Sequence, residues 1–149
     1  MSHSKVWRIL VIDDLPRWGE TIQDMGTLLH CQVRVVTNLQ AAVRELGHWF
    51  PHLILLDLHM PWESWEPLPG FSQKYPPSQK ALAFCEQVTT EAALKHILVV
   101  IVSVENQTVH QELAAQAGAH LFLTKGEFTV NHLEGLLAQL EDIYQPNDS

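Results

Sequence analysis

The stretch His52-Leu53-Ile54-Leu55-Leu56-Asp57-Leu58-His59-Met60-Pro61 decides the fold of this chain. Residues 53–56 are all apolar, too few for a free-standing helix, and the segment stops at a proline. Such short apolar runs are typical of strands buried on both faces in the middle of a parallel sheet. Asp57 follows directly, at the carboxyl end of the strand, where ligands bind in open α/β sheets. Taken alone, an Asp there more often caps a turn.

Apolar patterns on both sides of this strand alternate between strand and helix. Strands are predicted at 6–12, 32–37, 53–56, 97–102 and 120–124, and helices at 17–30, 39–49, 78–93, 107–117 and 130–144. This β-α alternation predicts a parallel sheet with helices on both faces. Right-handed crossovers reduce the topologies to a doubly wound five-stranded sheet. No repeat or linker divides the chain, so we expect one α/β domain over residues 1–149.

Composition excludes several classes of function. The formal net charge of −8 argues against binding nucleic acid by bulk electrostatics. The longest apolar run, 97–102, is far too short to cross a membrane. Residues 1–5 lack the charged and apolar regions of a signal peptide, so we expect a cytoplasmic location. The nine histidines are scattered without metal-ligand spacing, which argues against a zinc site.

Polar side chains follow four of the predicted strands. Asp13 and Asp14 follow the first strand, Asp57 the third, Ser103 the fourth and Lys125 the fifth. Because parallel strands bring their carboxyl ends to one edge of the sheet, we expect these side chains to lie close together. Each has an ordinary structural explanation by itself, but together they suit phosphoryl transfer to a carboxylate.

The chemistry of such a transfer assigns a task to each group. Asp57 would attack the phosphorus and form an acyl phosphate. Three neighbouring carboxylates repel one another and favour a hard divalent cation, so we expect Mg²⁺ as the cofactor. The metal, the Lys125 ammonium and the Ser103 hydroxyl would stabilise the three equatorial oxygens of the transferred group.

The motifs at these strand ends resemble those of response regulator receiver domains, the CheY-like modules of two-component signalling. They are Ile12-Asp13-Asp14, Leu55-Leu56-Asp57-Leu58-His59-Met60-Pro61, Val102-Ser103 and Phe122-Leu123-Thr124-Lys125. The resemblance covers essentially the whole chain. It implies a flavodoxin-like fold with strand order 2-1-3-4-5 and five helices. It also implies a phosphorylation-controlled switch of protein–protein contacts.

The resemblance further implies the role of each residue at the site. Asp57 would accept a phosphoryl group from a histidine kinase or a phosphotransfer protein, and would also be a metal ligand. Asp14 would bind Mg²⁺ directly and Asp13 through water, and the backbone carbonyl of His59 would complete the ligands. Catalysis would involve Asp57 and Lys125 together with the Ser103 hydroxyl.

Two residues would carry the switch in a member of this family. The Ser103 hydroxyl would move toward the phosphate, and the Phe122 ring would rotate inward as it does so. The phosphate charge would bias the face formed by the fourth helix, the fifth strand and the fifth helix. Dimers through this face are common in the family, so the sequence leaves open whether the chain forms a homodimer.

The chain departs from the family pattern at three places. Gly126 stands where a proline usually follows the lysine, and Val104 stands where a small residue usually follows the switch hydroxyl. Residues 62–77 form a long loop with four prolines and four aromatic residues, whereas βα loops usually have about 2–6 residues. The loop is either a docking surface for a downstream partner, a lid or a dimer contact, or an insertion whose aromatic rings pack on the nearest helix. Under the docking hypothesis, deleting it abolishes partner binding and leaves the fold intact.

These departures keep a second function open, that of a pseudo-receiver regulated by protein contacts without phosphorylation. An enzyme is a third alternative: a phosphatase of the haloacid dehalogenase kind. Such an enzyme needs an Asp two residues after the nucleophile, where this chain has His59. We therefore expect no enzyme activity beyond phosphorylation and dephosphorylation of the chain itself. The expected partners are proteins and not nucleic acid or membrane.

Overall fold

The structure, a computed structural model, describes residues 6–60, 64–70, 75–104 and 107–144. Within these ranges the strands are β1 (Arg8–Ile12), β2 (Gln32–Val36), β3 (Leu53–Asp57), β4 (Leu98–Ser103) and β5 (Leu121–Thr124). The helices are α1 (Pro16–Leu28), α2 (Leu39–His48), α3 (Lys80–Thr90), α4 (Thr108–Gln116) and α5 (Val130–Tyr144). Short 3₁₀ turns lie at Pro77–Gln79, Ala92–Leu94 and Lys125–Glu127.

All strand pairs of the sheet are parallel, and the strand order is β2-β1-β3-β4-β5. The predicted flavodoxin-like fold is therefore confirmed, with its strand order and its five helices. β3 lies between β1 and β4, and each of its residues is buried. A central position explains the unbroken apolar run, because a strand covered on both faces has no side that needs polar residues.

The helices cover both faces of the sheet. α2, α3 and α4 pack on one face, and α1 and α5 pack on the other. Alternate residues of β1 and β3 point to opposite faces, as the strand period of two requires. The face under α2, α3 and α4 includes Leu10, Ile12, Ile54 and Leu56. The face under α1 and α5 includes Ile9, Val11, Leu53 and Leu55.

The element boundaries differ slightly from the predicted ones. α5 has the predicted bounds, and Asn38 caps α2 as expected, since its Oδ1 accepts a hydrogen bond of 2.8 Å from the Ala41 N–H. α1 ends at Leu28 and not at residue 30, because His30 adopts a φ of +60°, which a helix does not allow. α3 begins at Lys80, after a 3₁₀ turn.

The aromatic residues that are described in the 62–77 loop lie against α3. The Trp65 ring meets the Phe84 ring edge-on, with 5.7 Å between their centroids. The Tyr75 hydroxyl donates a hydrogen bond of 2.8 Å to Glu86 Oε1. Both rings are half-buried against the core on that face of the sheet. For these two residues, packing on the nearest helix is therefore what the structure shows.

Polar contacts also join the loop to α3. The Leu68 N–H donates a hydrogen bond of 2.6 Å to Gln87 Oε1, and Lys80 Nζ lies 2.9 Å from Glu66 Oε2. The Leu68 side chain itself points to solvent and is 58% exposed. Trp62 and Phe71, the other two aromatic residues of the predicted loop, lie outside the described residues.

Among the described residues, no helix combines the length and the apolarity needed to cross a membrane.

Candidate functional site

The five side chains predicted to lie at one edge of the sheet follow the carboxyl ends of the strands. Asp13 and Asp14 come directly after β1, and Asp57 and Ser103 are the last residues of β3 and β4. Lys125 begins the turn after β5. Asp13 and Ser103 have no exposed surface and Asp57 is 5% exposed. Buried polar groups of this kind are costly to keep unless they are paired, so the edge is a candidate site.

Three carboxylates form a cluster at this edge. One oxygen each of Asp13, Asp14 and Asp57 lies within 4.8 Å of the others. Backbone amides hold two of them. The Leu15 N–H donates a hydrogen bond of 2.8 Å to Asp13 Oδ1, and the His59 N–H donates one of 3.3 Å to Asp57 Oδ1. The amides fix the direction of the carboxylates but do not neutralise their charge.

One ammonium group lies among these acids. Lys125 Nζ is 2.5 Å from Asp13 Oδ2 and 3.6 Å from Asp57 Oδ1. Its side chain is 10% exposed, so the ammonium has exchanged most of its water for carboxylate oxygens. Lys125 and Asp13 are 112 positions apart in the chain. They meet because the parallel sheet brings the carboxyl ends of its strands to one edge.

The environment raises the pKa of Asp57 to about 6. Burial of the carboxylate is the main cause, and the charge of Asp13 adds to it. Lys125 and the His59 N–H act in the opposite direction but do not cancel these effects. Asp57 is therefore a carboxylate at neutral pH, in an environment that disfavours its charge.

The donor set of the cluster fits a hard divalent cation such as Mg²⁺. Carboxylate oxygens are the ligands that Mg²⁺ prefers, and one or two of them with water satisfy its octahedral geometry. Asp13, Asp14 and Asp57 can supply such oxygens from one position. A cation among them would also offset the repulsion that raises the pKa of Asp57.

The two predicted switch residues lie close to the site along β4 and β5. Ser103 pairs with Thr124 in the sheet register, one position beyond the pair of Asp57 with Val102. Phe122 is half-buried and packs against the core under α2, α3 and α4. The structure therefore places Ser103 at the edge of the site and Phe122 beside it in the core.

The residues that depart from the family pattern face outward. Val104, directly after β4, is 69% exposed. Gly126 lies in the turn Lys125–Glu127, and a Cβ atom added to it would meet no other group within 4 Å. The Phe128 N–H donates a hydrogen bond of 3.2 Å to the Lys125 carbonyl and closes this turn.

Two contacts near the site were not predicted from the sequence. Lys125 Nζ lies over the Trp18 ring, 5.4 Å from its centroid. The His59 and His110 rings meet edge-on with 5.7 Å between centroids. Trp18 matched the apolar spacing of α1, so the pattern assigned it to the core. The sequence has no signal for either contact, because each joins residues of distant elements.

No protein-family model matches the chain, and no curated protein matches it. Solved structures do match, along nearly the whole chain. One is the signal receiver domain of a signal transduction histidine kinase from Syntrophus aciditrophicus, 22% identical, with a TM-score of 0.72 and coverage of 97% of this chain and 96% of that chain.

Two further matches have lower identity. A CheY-like response regulator receiver domain protein from Methanospirillum hungatei JF-1 is 15% identical, with a TM-score of 0.71 and coverage of 93% and 97%. The BeF3-activated DrrB receiver domain is 15% identical, with a TM-score of 0.70 and coverage of 93% and 99%. At these identities the matches show the fold, and the chain has the fold of response regulator receiver domains.

Proposed function

We propose that residues 1–149 form a receiver domain that accepts a phosphoryl group on Asp57 with the aid of Mg²⁺ and thereby changes its contacts with other proteins. The observation that carries this proposal is the position of Asp57. Its carboxylate is 5% exposed at the end of the central strand, beside two further acids and a lysine. A nucleophile, a cation site and a fixed ammonium are the groups that phosphoryl transfer to a carboxylate requires.

In the proposed reaction an Asp57 oxygen attacks the phosphorus of a phosphohistidine. The new P–O bond forms as the P–N bond breaks, and the electron pair of the P–N bond goes to the ring nitrogen, so that a ring already protonated on its other nitrogen leaves as neutral imidazole. Asp57 must be ionised to attack, which its pKa of about 6 allows at neutral pH. The donor would be a histidine kinase or a phosphotransfer protein.

Lys125 and Ser103 would stabilise the charge on the transferred group. The Lys125 ammonium lies 3.6 Å from Asp57 Oδ1, so it can reach an oxygen of a phosphoryl group attached there. The Ser103 hydroxyl would donate to another oxygen, and Phe122 would respond in the core. Bound Mg²⁺ would neutralise the developing negative charge.

Asp14 and Asp57 would hold the metal directly, and Asp13 would hold it through water, with the His59 carbonyl as a further ligand. The cluster of oxygens within 4.8 Å supports this assignment. Asp13 already accepts the closest contact from Lys125, which leaves it less able to bind the metal directly than Asp14. A water-mediated role for Asp13 is therefore consistent with the geometry.

The test is the intact-protein mass after incubation with Mg²⁺ and acetyl phosphate, compared with Asp57→Asn under the same conditions. The proposal expects one added phosphoryl group in the parent protein and none in the variant. BeF3 is a second probe, since one structurally similar receiver domain is described as activated by it. It would protect the parent from thermal unfolding in the presence of Mg²⁺ but not Asp57→Asn.

A different result would favour the pseudo-receiver. Gly126 and Val104 are the observations that keep this alternative, since both differ from the pattern expected beside the lysine and the hydroxyl. A parent protein that binds neither Mg²⁺ nor phosphoryl would be regulated by protein contacts alone. Phosphorylation by a histidine kinase but not by acetyl phosphate would retain the receiver function with a requirement for the kinase.

We further propose that downstream partners dock on the loop 62–77, close to Asp57 in the chain. Leu68 supports this, because its backbone is fixed to Gln87 while its side chain is 58% exposed. The test is Leu68→Asp in a binding assay with the partner, once one is captured with phosphorylated protein. Unchanged affinity in this variant would contradict the docking role.

A further inference from the structure

The Lys125 ammonium has an aromatic neighbour in addition to its carboxylates. Nζ lies 5.4 Å from the centroid of the Trp18 ring, within the range of a cation–π interaction. Trp18 is the third residue of α1, the helix that follows the acidic pair Asp13-Asp14. Helix α1 therefore presents an indole ring to the lysine.

The Trp18 ring is held in place by a second aromatic residue. It meets the Phe128 ring edge-on, with 5.7 Å between centroids and 74° between planes. Phe128 is 8% exposed and belongs to the core under α1 and α5. The Phe128 N–H donates a hydrogen bond of 3.2 Å to the Lys125 carbonyl, and this bond closes the turn that contains the lysine. The ring of Trp18 and the backbone of Lys125 are thus fixed to the same core residue.

The turn fixes the backbone of Lys125 but not the end of its side chain. Gly126 follows directly, and a Cβ there would meet nothing within 4 Å. The long side chain of Lys125 has four rotatable bonds and would lose considerable rotamer freedom in any single position. Its position must therefore come from the groups around its end.

Two kinds of group act on the ammonium. Asp13, at 2.5 Å, draws it toward β1 and away from Asp57, at 3.6 Å. The indole face attracts it without adding a negative charge to the site, and it excludes water from one side. An interaction of this kind holds the lysine while leaving its charge available for a phosphoryl oxygen.

We propose that Trp18 is a positioning residue that keeps the Lys125 ammonium within reach of a phosphoryl group on Asp57. The role rests on the proposed function, since it describes how one of its groups is placed. Loss of the ring lets the ammonium turn away from Asp57, so that it contacts Asp13 alone or turns to solvent. Transfer to Asp57 then slows because its charge is neutralised less well.

The experiment compares Trp18→Leu and Trp18→Phe in the full chain. With Mg²⁺ and increasing acetyl phosphate, Trp18→Leu lowers the maximal rate of Asp57 phosphorylation about five- to tenfold with little change in half-saturation. Trp18→Phe, which keeps an aromatic face, recovers at least half of the parent rate. Trp49→Leu is the matched control, because Trp49 stacks on Arg34 at 4.6 Å in another part of the molecule.

A second readout does not depend on phosphorylation. A double-mutant cycle of Trp18→Leu and Lys125→Met, followed by urea unfolding without phosphodonor, measures the coupling of the two side chains. A cation–π contact of ordinary strength changes the unfolding equilibrium by about 2- to 5-fold beyond additivity. Additive effects in this cycle overturn the proposal.

The two readouts separate the possible failures. Equal loss of rate in Trp18→Leu and Trp18→Phe overturns the positioning role, as does loss in Trp49→Leu. Coupling in the cycle with no phosphorylation of the parent protein overturns the proposed function, and the contact is then structural. Coupling together with a rate loss that Trp18→Phe rescues supports both.

Discussion

Lys125 lies closer to Asp13 than to Asp57: its ammonium is 2.5 Å from an oxygen of the former and 3.6 Å from an oxygen of the latter. The lysine therefore neutralises the fully buried Asp13 first. Asp57 keeps a charge that its surroundings compensate only in part, and its pKa rises to about 6. We predict that a cation bound at the cluster would offset this charge, and that phosphorylation of Asp57, which adds negative charge at the same point, would strengthen the attraction of the site for the cation and for Lys125.

Ionisation of Asp57 is predicted to oppose folding at neutral pH. The pKa in the folded state is raised to about 6 from an ordinary value of 3.8. The free-energy cost of ionising Asp57 in the folded protein is absent when the pH is below both pKa values. It grows as the pH rises between them and is complete above the pKa of the folded state. Asp57→Asn is therefore expected to raise the free energy of unfolding in urea by about 1–3 kcal/mol at pH 7.5 without Mg²⁺, and by less at pH 5. A gain that shrinks with rising pH would contradict the prediction.

Mg²⁺ is predicted to stabilise the folded protein. A cation that binds the carboxylate cluster of the folded state raises stability by about 2.7 kcal/mol when present at 100 times its dissociation constant. Asp14→Asn should remove most of this gain. Asp24→Asn is the matched control, because Asp24 is exposed on α1 and lies outside the cluster. Thermal unfolding with and without Mg²⁺ measures the effect, and an equal response of both variants would argue against the cluster as the metal site.

The loop 62–77 is predicted to contribute to stability. Trp65 is half-buried against Phe84, so Trp65→Ala should lower the free energy of unfolding by about 1–3 kcal/mol. Leu68→Ala, at a side chain that is 58% exposed, should change it by less than about 0.5 kcal/mol. Deletion of the whole loop should then destabilise the fold, in contrast to the expectation from sequence that the fold stays intact. Equal stability of Trp65→Ala and the parent in urea would show that the ring does not pack on α3.

Gly118 is predicted to be required where α4 turns into β5. Its φ is +90°, and an added Cβ would overlap the Thr89 hydroxyl oxygen. Gly118→Ala should therefore destabilise the protein by about 1–3 kcal/mol.

Gly135→Ala provides the opposite case for this prediction. Gly135 lies within α5, where an added Cβ meets nothing within 4 Å. Helix propensity then favours alanine by about 0.5–1 kcal/mol. In urea, Gly118→Ala should lower the free energy of unfolding and Gly135→Ala should raise it. A similar loss of stability in both variants would contradict the prediction that Gly118 is required for its backbone conformation.

The sequence determined the fold of this protein almost completely. Strand β3 occurs at the unbroken apolar run that predicted it, and helix α5 occurs where apolar residues recur three and four positions apart, because both patterns can be recognised within one short segment. The alternation of strands and helices then left few topologies. The acids and the lysine follow from the same argument, since a parallel sheet must bring its carboxyl ends together. Their roles in phosphoryl transfer remain predictions.

Only the tertiary structure determined the distances between the charged groups of the site and their neighbours. The closer approach of Lys125 to Asp13 joins positions 112 apart in the chain, and the contact with Trp18 joins the turn after β5 to α1. The sequence left open whether the aromatic rings of the loop pack on the nearest helix, and only the structure shows Trp65 against Phe84. Distances of this kind, and the pKa of Asp57 that depends on them, arise when packed elements fix side chains from remote segments. Local periodicity contains no information on those distances.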